Sequence, residues 1–475
     1  MNISGSVAGR VGFALVAALA LAVSAAVPAG SVITVDYAGF MHDVAHSSFS
    51  AAATTITPSS SLSVKWTFQE TKPAGGLPPG FYSTPLVISH VMYAPSNSGE
   101  VYAIDMGTGN VLWRKFVGFE ANATCRAQGT YATSASGNDP TTGALTIYVA
   151  SGNGNVYALR ASDGATLWTS PVNVPDSGTN DRFSYSSATL ANGKIYIGMA
   201  SECDNSTSPV SIRGGVVALD QKTGSKVATW YTVPAGQLGG SVWSTPAIGP
   251  DGSVYVTTGD SVGTLLAGDS QSIVRLDRNT LTRLDGYQLV TGKSDTDFGA
   301  SPTMFTATLH GTLTQMVGAC NKNGFYYAWN ANSLSTGWVW RYKAARHQNN
   351  TGECDGGGVS DGSNLYVPGA RSTIGGVSYR GSMAKLNPAT GAVIWATGLP
   401  EAIRTYPSLD GAGALAAASF DTTSATNSAF LFNASTGTYR TVSDGNMLSV
   451  SAPVFADQYL VIANLAGTIY TYQTP

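Results

Sequence analysis

The chain has 475 residues, of which 43% are hydrophobic and 11% are charged, and its formal net charge is −3. This apolar content excludes an intrinsically disordered protein, and the low charge argues against a bundle of solvent-exposed helices. The near-neutral charge balance excludes the basic surface with which proteins bind nucleic acid or an anionic membrane. The 55 glycines, together with many Ser, Thr, Tyr and Val residues, are typical of an all-β protein.

The N-terminus has the pattern of a secretory signal. One positive side chain, Arg10, precedes an apolar run at 11–27, and small residues around Pro28 follow it. The run is at the lower limit of length for a membrane span, and small residues after such a run are typical of a cleavage site. We therefore expect residues 1–29 to be removed and the mature protein to be secreted or periplasmic. The alternative is an anchoring helix that stays in the membrane.

A short segment recurs along most of the chain. Three clear copies, which begin at Val101, Val156 and Ala384, read VYAIDMGTGNVLW, VYALRASDGATLW and AKLNPATGAVIW. Each copy begins with an alternating strand that ends near an Asp or Asn, and a glycine in the turn supplies the positive φ of a hairpin. The second strand carries a tryptophan, which is large enough to fill the wedge between neighbouring repeats.

Two further strands precede each copy, and the first of them often begins with a small residue and proline, as at 83–85 and 244–246. Four strands per repeat predict a propeller blade rather than a solenoid coil. The first strands of the repeats begin near 83, 132, 186, 244, 301, 357, 405 and 451, which gives eight repeats. The last repeat has three strands, and the segment at 62–68 supplies the fourth, which removes the free edges. We predict one eight-bladed β-propeller at 62–475, with an extension at 30–61 packed on it.

The repeated Ala-x-Asp-x-x-Thr-Gly-x-x-x-Trp pattern resembles that of the quinoprotein alcohol dehydrogenase-like β-propellers, which use pyrroloquinoline quinone (PQQ). The segment at 39–47, GFMHDVAHS, is also similar to the one that precedes the first blade in that family. The resemblance implies an oxidoreductase that uses PQQ and Ca²⁺ to oxidise an alcohol or a sugar-like hydroxyl. His42 and His46, within this segment, are predicted to dock the loop rather than to bind a metal.

The chain has four cysteines, and an even number in an exported protein favours two disulfides, with three possible pairings. None of them lies in a zinc-knuckle or haem-attachment motif. The predicted topology puts all four on the face formed by the loops between blades. Cys320 and Cys354 fall in adjacent loops on this face, which leaves Cys125 and Cys203 as the second pair.

The resemblance assigns roles to five residues that the predicted topology puts on that same face. Asp297 matches the catalytic base, Trp243 matches the ring on which the quinone lies, and Lys322 matches a basic residue that polarises the quinone oxygens. Glu202 and Asp260 match the Ca²⁺ ligands. The chemistry is coherent, because a hard cation prefers carboxylate oxygens, a buried carboxylate can act as general base, and a cation stabilises developing negative charge.

The sequence departs from the family pattern in two places. Cys125 is followed by Arg126, whereas the family dehydrogenases have two adjacent cysteines, and Asp260 stands where they have Asn. No haem motif is present, so a separate electron acceptor is expected. A second interpretation is a cofactor-free propeller that binds a protein, polymer or glycan on the same face, and a third is an assembly scaffold. In both, Asp297 is a turn cap and Trp243 is a packing residue.

Overall fold

The computed structural model describes residues 35–73, 76–120, 127–172, 185–201, 212–263, 266–291, 295–346, 354–444 and 447–475. Within these ranges the regular structure is β-strand, apart from a short 3-10 turn at Leu334–Thr336. No helix in the same ranges combines the length and the hydrophobicity that a membrane span requires. The predicted signal segment, Glu202, Cys125 and Cys203 lie outside the described residues.

Eight antiparallel sheets form the blades, and each follows the order of a simple meander from its inner strand to its outer strand. The strands of blades one to four are Leu86–Ile88, Val91–Pro95, Glu100–Asp105 and Val111–Phe116; Ala135–Asn138, Leu145–Ala150, Asn155–Arg160 and Thr166–Pro171; Thr189–Ala191, Lys194–Met199, Gly215–Asp220 and Lys226–Tyr231; Ala247–Ile248, Val254–Thr257, Ser272–Leu276 and Arg283–Gln288.

Blades five to eight repeat this arrangement. Their strands are Thr303–Leu309, Thr312–Asn321, Phe325–Asn330 and Trp338–Lys343; Val359–Ser360, Leu365–Ala370, Gly381–Leu386 and Val393–Leu399; Ser408–Asp410, Ala414–Ala418, Ser428–Asn433 and Tyr439–Asp444; Val454–Ala456, Tyr459–Ala463, Thr468–Gln473 and Ser63–Gln69. Two elements were not predicted from the sequence. They are a hairpin of Thr373–Ile374 with Val377–Ser378 in blade six, and a strand at Phe49–Ser50 that pairs in parallel with the inner strand of blade seven.

The ring closes where the two ends of the propeller meet. Ser63–Gln69 pairs antiparallel with Thr468–Gln473 and completes the sheet of blade eight. This confirms the predicted eight-bladed fold and its closure by an N-terminal strand. Closure gives the third strand of blade eight, Thr468–Gln473, a partner on each side, so that its outer edge is not left unpaired.

The hydrophobic core lies between the blades. The inner strands are buried, whereas an outer strand such as Val111–Phe116 alternates between exposed and half-buried residues. Each buried cluster combines side chains from two neighbouring blades; one, for example, joins Phe305 and Met316 of blade five to Leu365 and Leu386 of blade six. Burial of apolar area between blades therefore stabilises the ring as a whole rather than each sheet separately.

A repeated contact joins many of the blades near the rim. The indole Nε1 of an outer-strand tryptophan donates a hydrogen bond of 2.8 to 3.2 Å to a carbonyl in the turn of the next blade. Its ring covers the turn glycine, where a Cβ would lie 2.5 to 2.8 Å from ring atoms. The five pairs are Trp66 with Gly109, Trp113 with Gly164, Trp168 with Gly224, Trp340 with Gly391 and Trp395 with Gly437.

The N-terminal segment at 35–50 crosses the face of the ring where the inner strands end. It forms hydrogen bonds with residues of blades one, two, four, five, six, seven and eight, namely with Val87, Ser136, Ile248, Met304, Ser360, Leu409 and Asp457. His46 is buried, and its Nδ1 lies 2.8 Å from the carbonyl oxygen of Pro302. Burial lowers the pKa of His46 to about 4, so the imidazole is neutral at physiological pH. The segment thus fastens the ring from one side.

Candidate functional site

A cavity of about 370 Å³ lies on the axis of the propeller. Two residues from the start of nearly every blade line it, and they are separated by one residue in the sequence. We call the first set the collar: Tyr82, Tyr131, Tyr185, Trp243, Gly299, Asp355, Arg404 and Val450. Phe40 from the N-terminal segment also lines the cavity, and its ring centroid is 4.9 Å from that of Tyr406.

The second set forms a belt of hydroxyl groups around the axis. Its members are Thr84, Thr133, Ser187, Thr245 and Ser301. The backbone N–H of each of the first four donates to the hydroxyl oxygen of the next, over 2.9 to 3.0 Å. The backbone N–H of Ser301 donates to the Tyr406 hydroxyl, which reaches across blade six above Gly357. The belt therefore fixes the relative positions of the blades around the cavity.

The collar has two chemically different parts. On blades one to four it is an aromatic arc, in which Tyr82 stacks on Tyr131 at 3.9 Å and Tyr131, Tyr185 and Trp243 follow in edge-on contacts. On blades six and seven it is an ion pair, since the Arg404 guanidinium contacts the Asp355 carboxylate. A mostly apolar wall with a few polar groups is typical of a small-molecule site.

Three of the residues predicted from the sequence meet beside the aromatic arc. Lys322 Nζ lies 2.8 Å from Asp297 Oδ1, 2.7 Å from Asp295 Oδ1 and 5.8 Å from the centre of the Trp243 ring. The structure thus brings Asp297, Lys322 and Trp243 together, although their assigned roles stay predictions. Asp295 was not predicted from the sequence, and its position two residues before Asp297 was the available signal.

Gly259 makes this close approach possible. A Cβ at that position would lie 2.8 Å from the Trp243 ring and 3.1 Å from Asp297 Oδ2. The Trp243 Nε1 atom is buried and has no hydrogen-bond partner among the described residues. A buried donor of this kind carries a desolvation cost, and a ligand can remove that cost.

Burial and charge together set the protonation of this cluster. Burial raises the pKa of the Asp297 carboxyl to about 6, and the Lys322 ammonium opposes the shift. The negative charges of Asp260 and Asp295 act in the same direction as burial. Burial disfavours the charged form of Lys322, but the carboxylates of Asp297 and Asp295 outweigh it and raise the pKa of Lys322. A carboxyl with a pKa near neutrality suits a general base.

The predicted metal ligands are only partly within the described chain. Asp260 lies close enough to Asp297 to affect its pKa, and its Oδ1 accepts a 2.5 Å hydrogen bond from Gln271 Nε2. Glu202 is outside the described residues. Among the residues that are described, no group of three His, Cys, Asp or Glu side chains could hold a metal ion. The Ca²⁺ site therefore remains a prediction.

Cys320 and Cys354 form a disulfide, as the predicted pairing has it. Cys320 lies within the strand Thr312–Asn321 rather than in the loop after it, because Cys320 and Asn321 still pair with Tyr326 and Phe325. The other predicted pair, Cys125 and Cys203, falls outside the described residues.

The three tyrosines of the aromatic arc and the Asp355–Arg404 pair were not predicted from the sequence. Their signal is positional, since Tyr82, Tyr131, Tyr185 and Trp243 each stand two residues before the belt hydroxyl of their blade. When the repeats are aligned with one another, the same position can be located in every blade, and in blade six it is Asp355.

A family model described as the PQQ glucose/ethanol/alcohol dehydrogenase β-propeller domain matches residues 38–333. The chain belongs to this family. The match includes the segment at 39–47, the collar residues of blades one to five and the cluster around Asp297.

Individual relatives agree with this assignment. The quinohemoprotein alcohol dehydrogenase ADH IIB of Pseudomonas putida is 26% identical over 289 residues, which are 52% of this chain and 39% of that protein. A polyvinylalcohol dehydrogenase of a Pseudomonas species is 25% identical over 459 residues, which are 83% of this chain and 67% of that protein.

A solved structure, the quinohemoprotein alcohol dehydrogenase ADHIIG from Pseudomonas putida HK5, superposes with a TM-score of 0.72. It is 16% identical, and the superposition covers 92% of this chain and 80% of that one. At this identity the likeness concerns the fold alone. The matched region corresponds to 20% to 39% of the full length of the quinone-dependent alcohol dehydrogenases that resemble this chain in sequence.

Proposed function

We propose that this protein is a quinone-dependent dehydrogenase that oxidises an alcohol or sugar-type hydroxyl at the mouth of the axial cavity. The observation that carries the proposal is the buried Asp297, which is held 2.8 Å from Lys322 beside the Trp243 ring. Membership of the PQQ propeller family supports the same chemistry.

Asp297 is the base in this proposal. Its pKa of about 6 leaves the carboxylate ionised at neutral pH but basic enough to take the proton of a substrate hydroxyl. Loss of that proton and transfer of a hydride from the same carbon convert the alcohol to an aldehyde or ketone. Lys322 stays protonated throughout, because two carboxylates contact it, and its charge favours negative charge that develops nearby.

The residues around Trp243 fit a flat quinone. The indole offers a planar face, its buried Nε1 has no hydrogen-bond partner in the described chain, and the Lys322 ammonium lies near the ring. When bound, PQQ supplies the acceptor for the hydride and thus for the two electrons. Trp243 would hold it by stacking, and Lys322 would contact its oxygens.

Asp260 is proposed as a ligand of Ca²⁺ together with Glu202. The ion, when bound, acts as a Lewis acid on the quinone. Asp260 now accepts a hydrogen bond from Gln271, and a carboxylate has enough lone pairs to keep that bond while it binds a cation. The electrons are proposed to pass to a separate acceptor, and the pattern of residues 1–29 supports export as the cellular setting.

The test is reconstitution of the purified protein with PQQ and Ca²⁺, followed by dye reduction with simple alcohols and polyvinyl alcohol. We expect activity in the wild type and a loss of about 10²-fold or more in Asp297→Asn, which keeps the shape of the side chain but removes the base. Asp163→Asn, in an exposed turn between outer strands, is the control and should keep full activity.

A cofactor-free binding propeller is the second candidate. The absence of a second cysteine next to Cys125 favours it, since the family dehydrogenases have a pair there. Absence of both PQQ binding and stabilisation by Ca²⁺ in the wild-type protein would decide for this candidate.

A further inference from the structure

The collar position of blade six holds a carboxylate that is only half satisfied. Arg404 Nε donates to Asp355 Oδ2 over 2.9 Å, and Arg404 Nη2 contacts the same oxygen. The other oxygen, Oδ1, is buried and has no hydrogen-bond partner in the part of the chain that the structure describes. Asp355 and Arg404 both line the axial cavity, so a ligand in that cavity lies next to a carboxylate that has one oxygen without a donor.

The collar position of blade five is a glycine, which leaves room for that oxygen. A Cβ on Gly299 would lie 2.5 Å from Asp355 Oδ1. Gly299 follows Asp297 by two residues, so the Asp355 carboxylate lies against the same stretch of chain that carries the proposed base. Asp355 lines the cavity, and Asp297 lies behind Trp243, which also lines it. Tyr82, Tyr131 and Tyr185 line the cavity from blades one to three.

We infer that the substrate is a polyol, and that Asp355 binds a second hydroxyl of the molecule whose first hydroxyl reacts at Asp297. This inference rests on the proposed function and names the substrate class of the same site. A carboxylate oxygen without a donor pairs well with a hydroxyl. An alcohol with a single hydroxyl leaves Asp355 Oδ1 unpaired and buried, and sites built around such a group discriminate strongly against a substrate that lacks the matching hydroxyl. The aromatic arc offers the carbon skeleton an apolar surface.

Pentane-2,4-diol and pentan-2-ol test the inference, because they differ by one hydroxyl. We would measure dissociation constants by ligand-observed NMR without quinone, and kcat/KM after reconstitution with PQQ and Ca²⁺. The wild type is expected to favour the diol by about tenfold or more in both measurements. Asp355→Ala removes the acceptor, and Gly299→Ala displaces it while the Asp355–Arg404 pair remains in the chain; both variants are expected to lose the preference.

Asp163→Ala is the matched control, since it also breaks an Arg–Asp pair, with Arg160, but an exposed one in a turn between outer strands. It should keep the wild-type preference. Binding of pentan-2-ol reports whether each variant has kept its cavity. If Asp355→Ala does not fold, the diol preference of Gly299→Ala tests the inference by itself.

Equal binding and oxidation of the two alcohols by the wild type would overturn the inference, and so would a diol preference that survives in both variants. If the diol preference in binding depends on Asp355 and Gly299 but no oxidation occurs with quinone, the polyol site stands and the proposed dehydrogenase function fails. If both alcohols are oxidised with quinone but the diol is not preferred, the proposed dehydrogenase function stands and the polyol site fails.

Discussion

At the rim of the propeller, five junctions between blades carry the same contact, a tryptophan over the turn glycine of the next blade. At the axis, the equivalent collar positions of the blades carry three tyrosines, a tryptophan, a glycine, an aspartate, an arginine and a valine. Both sets are generated by the same repeat. Where repeats keep the same residue, the contact holds neighbouring blades in one geometry; where they differ, the fold delivers different chemical groups to one cavity.

The rim itself is not uniform. At the junction between blades three and four, Trp230 is half-buried, and the turn it faces has Leu281 in the left-handed region, at a φ of 56°, instead of glycine. Leu281 is buried and packs in the cluster that Trp230 adjoins. Two side chains, Leu281 and Trp230, fill the space between the blades here, so the packing of this junction depends less on the indole.

This contrast predicts the largest effect for Trp340→Ala. Trp340 is buried, covers Gly391 and donates to the carbonyl of Pro388, so its removal leaves both a cavity and an unpaired acceptor. We expect the free energy of unfolding to fall by about 3–5 kcal/mol. For Trp230→Ala we expect about half of that loss. Trp230 is only half-buried in the folded protein, so its removal gives up less buried apolar area than the removal of Trp340.

Chemical denaturation of the two variants and the wild type measures the difference. If Trp340→Ala and Trp230→Ala lower the free energy of unfolding by the same amount, a junction in which a tryptophan covers a glycine depends on the indole no more than a junction without that contact.

A smaller loss is expected for Gly391→Ala. Gly391 has a φ of 69°, and a Cβ there would lie 2.5 Å from the Trp340 ring, so alanine adds backbone strain and displaces the indole. We expect a loss of about 2–3 kcal/mol. Gly376→Ala is the control, since its φ of 82° carries similar strain but nothing lies within 4 Å of the added Cβ. Its loss, from the same denaturation experiments, should be about 1 kcal/mol.

At the axis, the expected effect is a shift in pH dependence. Since Asp297 accepts a proton in its ionised form, kcat/KM for quinone-dependent oxidation should rise with pH through about 6 and then level off. In Lys322→Met this limb should move to higher pH by about one unit, because the cation that stabilises the carboxylate is gone. Asp295→Asn should move it slightly to lower pH, because the Asp295 charge raises the pKa of Asp297.

The pH profile of dye reduction, measured for the three proteins with one substrate, checks these directions. A limb that stays in place in Lys322→Met would show that a group other than Asp297 controls the rate.

Much of the fold could be predicted because the repeat is local. An alternating strand, a turn at Asp or Asn with glycine, and a strand with tryptophan are readable within about 13 residues, as at Val101 and Val156. Seven copies of such a unit, with a first strand entering each of eight repeats, leave few ways to bury the second face of each sheet. The parallel strand at Phe49–Ser50 was missed, because two residues carry no periodic pattern and their partner, Ser408–Asp410, is more than 350 positions away in the sequence.

The candidate site was predictable only in part. The resemblance found Asp297, Lys322 and Trp243, because each stands in a recognisable motif. It could not find the Asp355–Arg404 pair or the space over Gly299, because these depend on which side chain lies across from which around the axis.

The sequence by itself determined the class of fold, the number of blades and the way the ring closes, since hydrophobic alternation and turn chemistry act between near neighbours. Only the tertiary structure decided that Lys322 lies between two carboxylates and that one oxygen of Asp355 is buried without a donor. Charges and hydrogen bonds of this kind join residues from different blades, and their strength depends on distance and burial that no local pattern records.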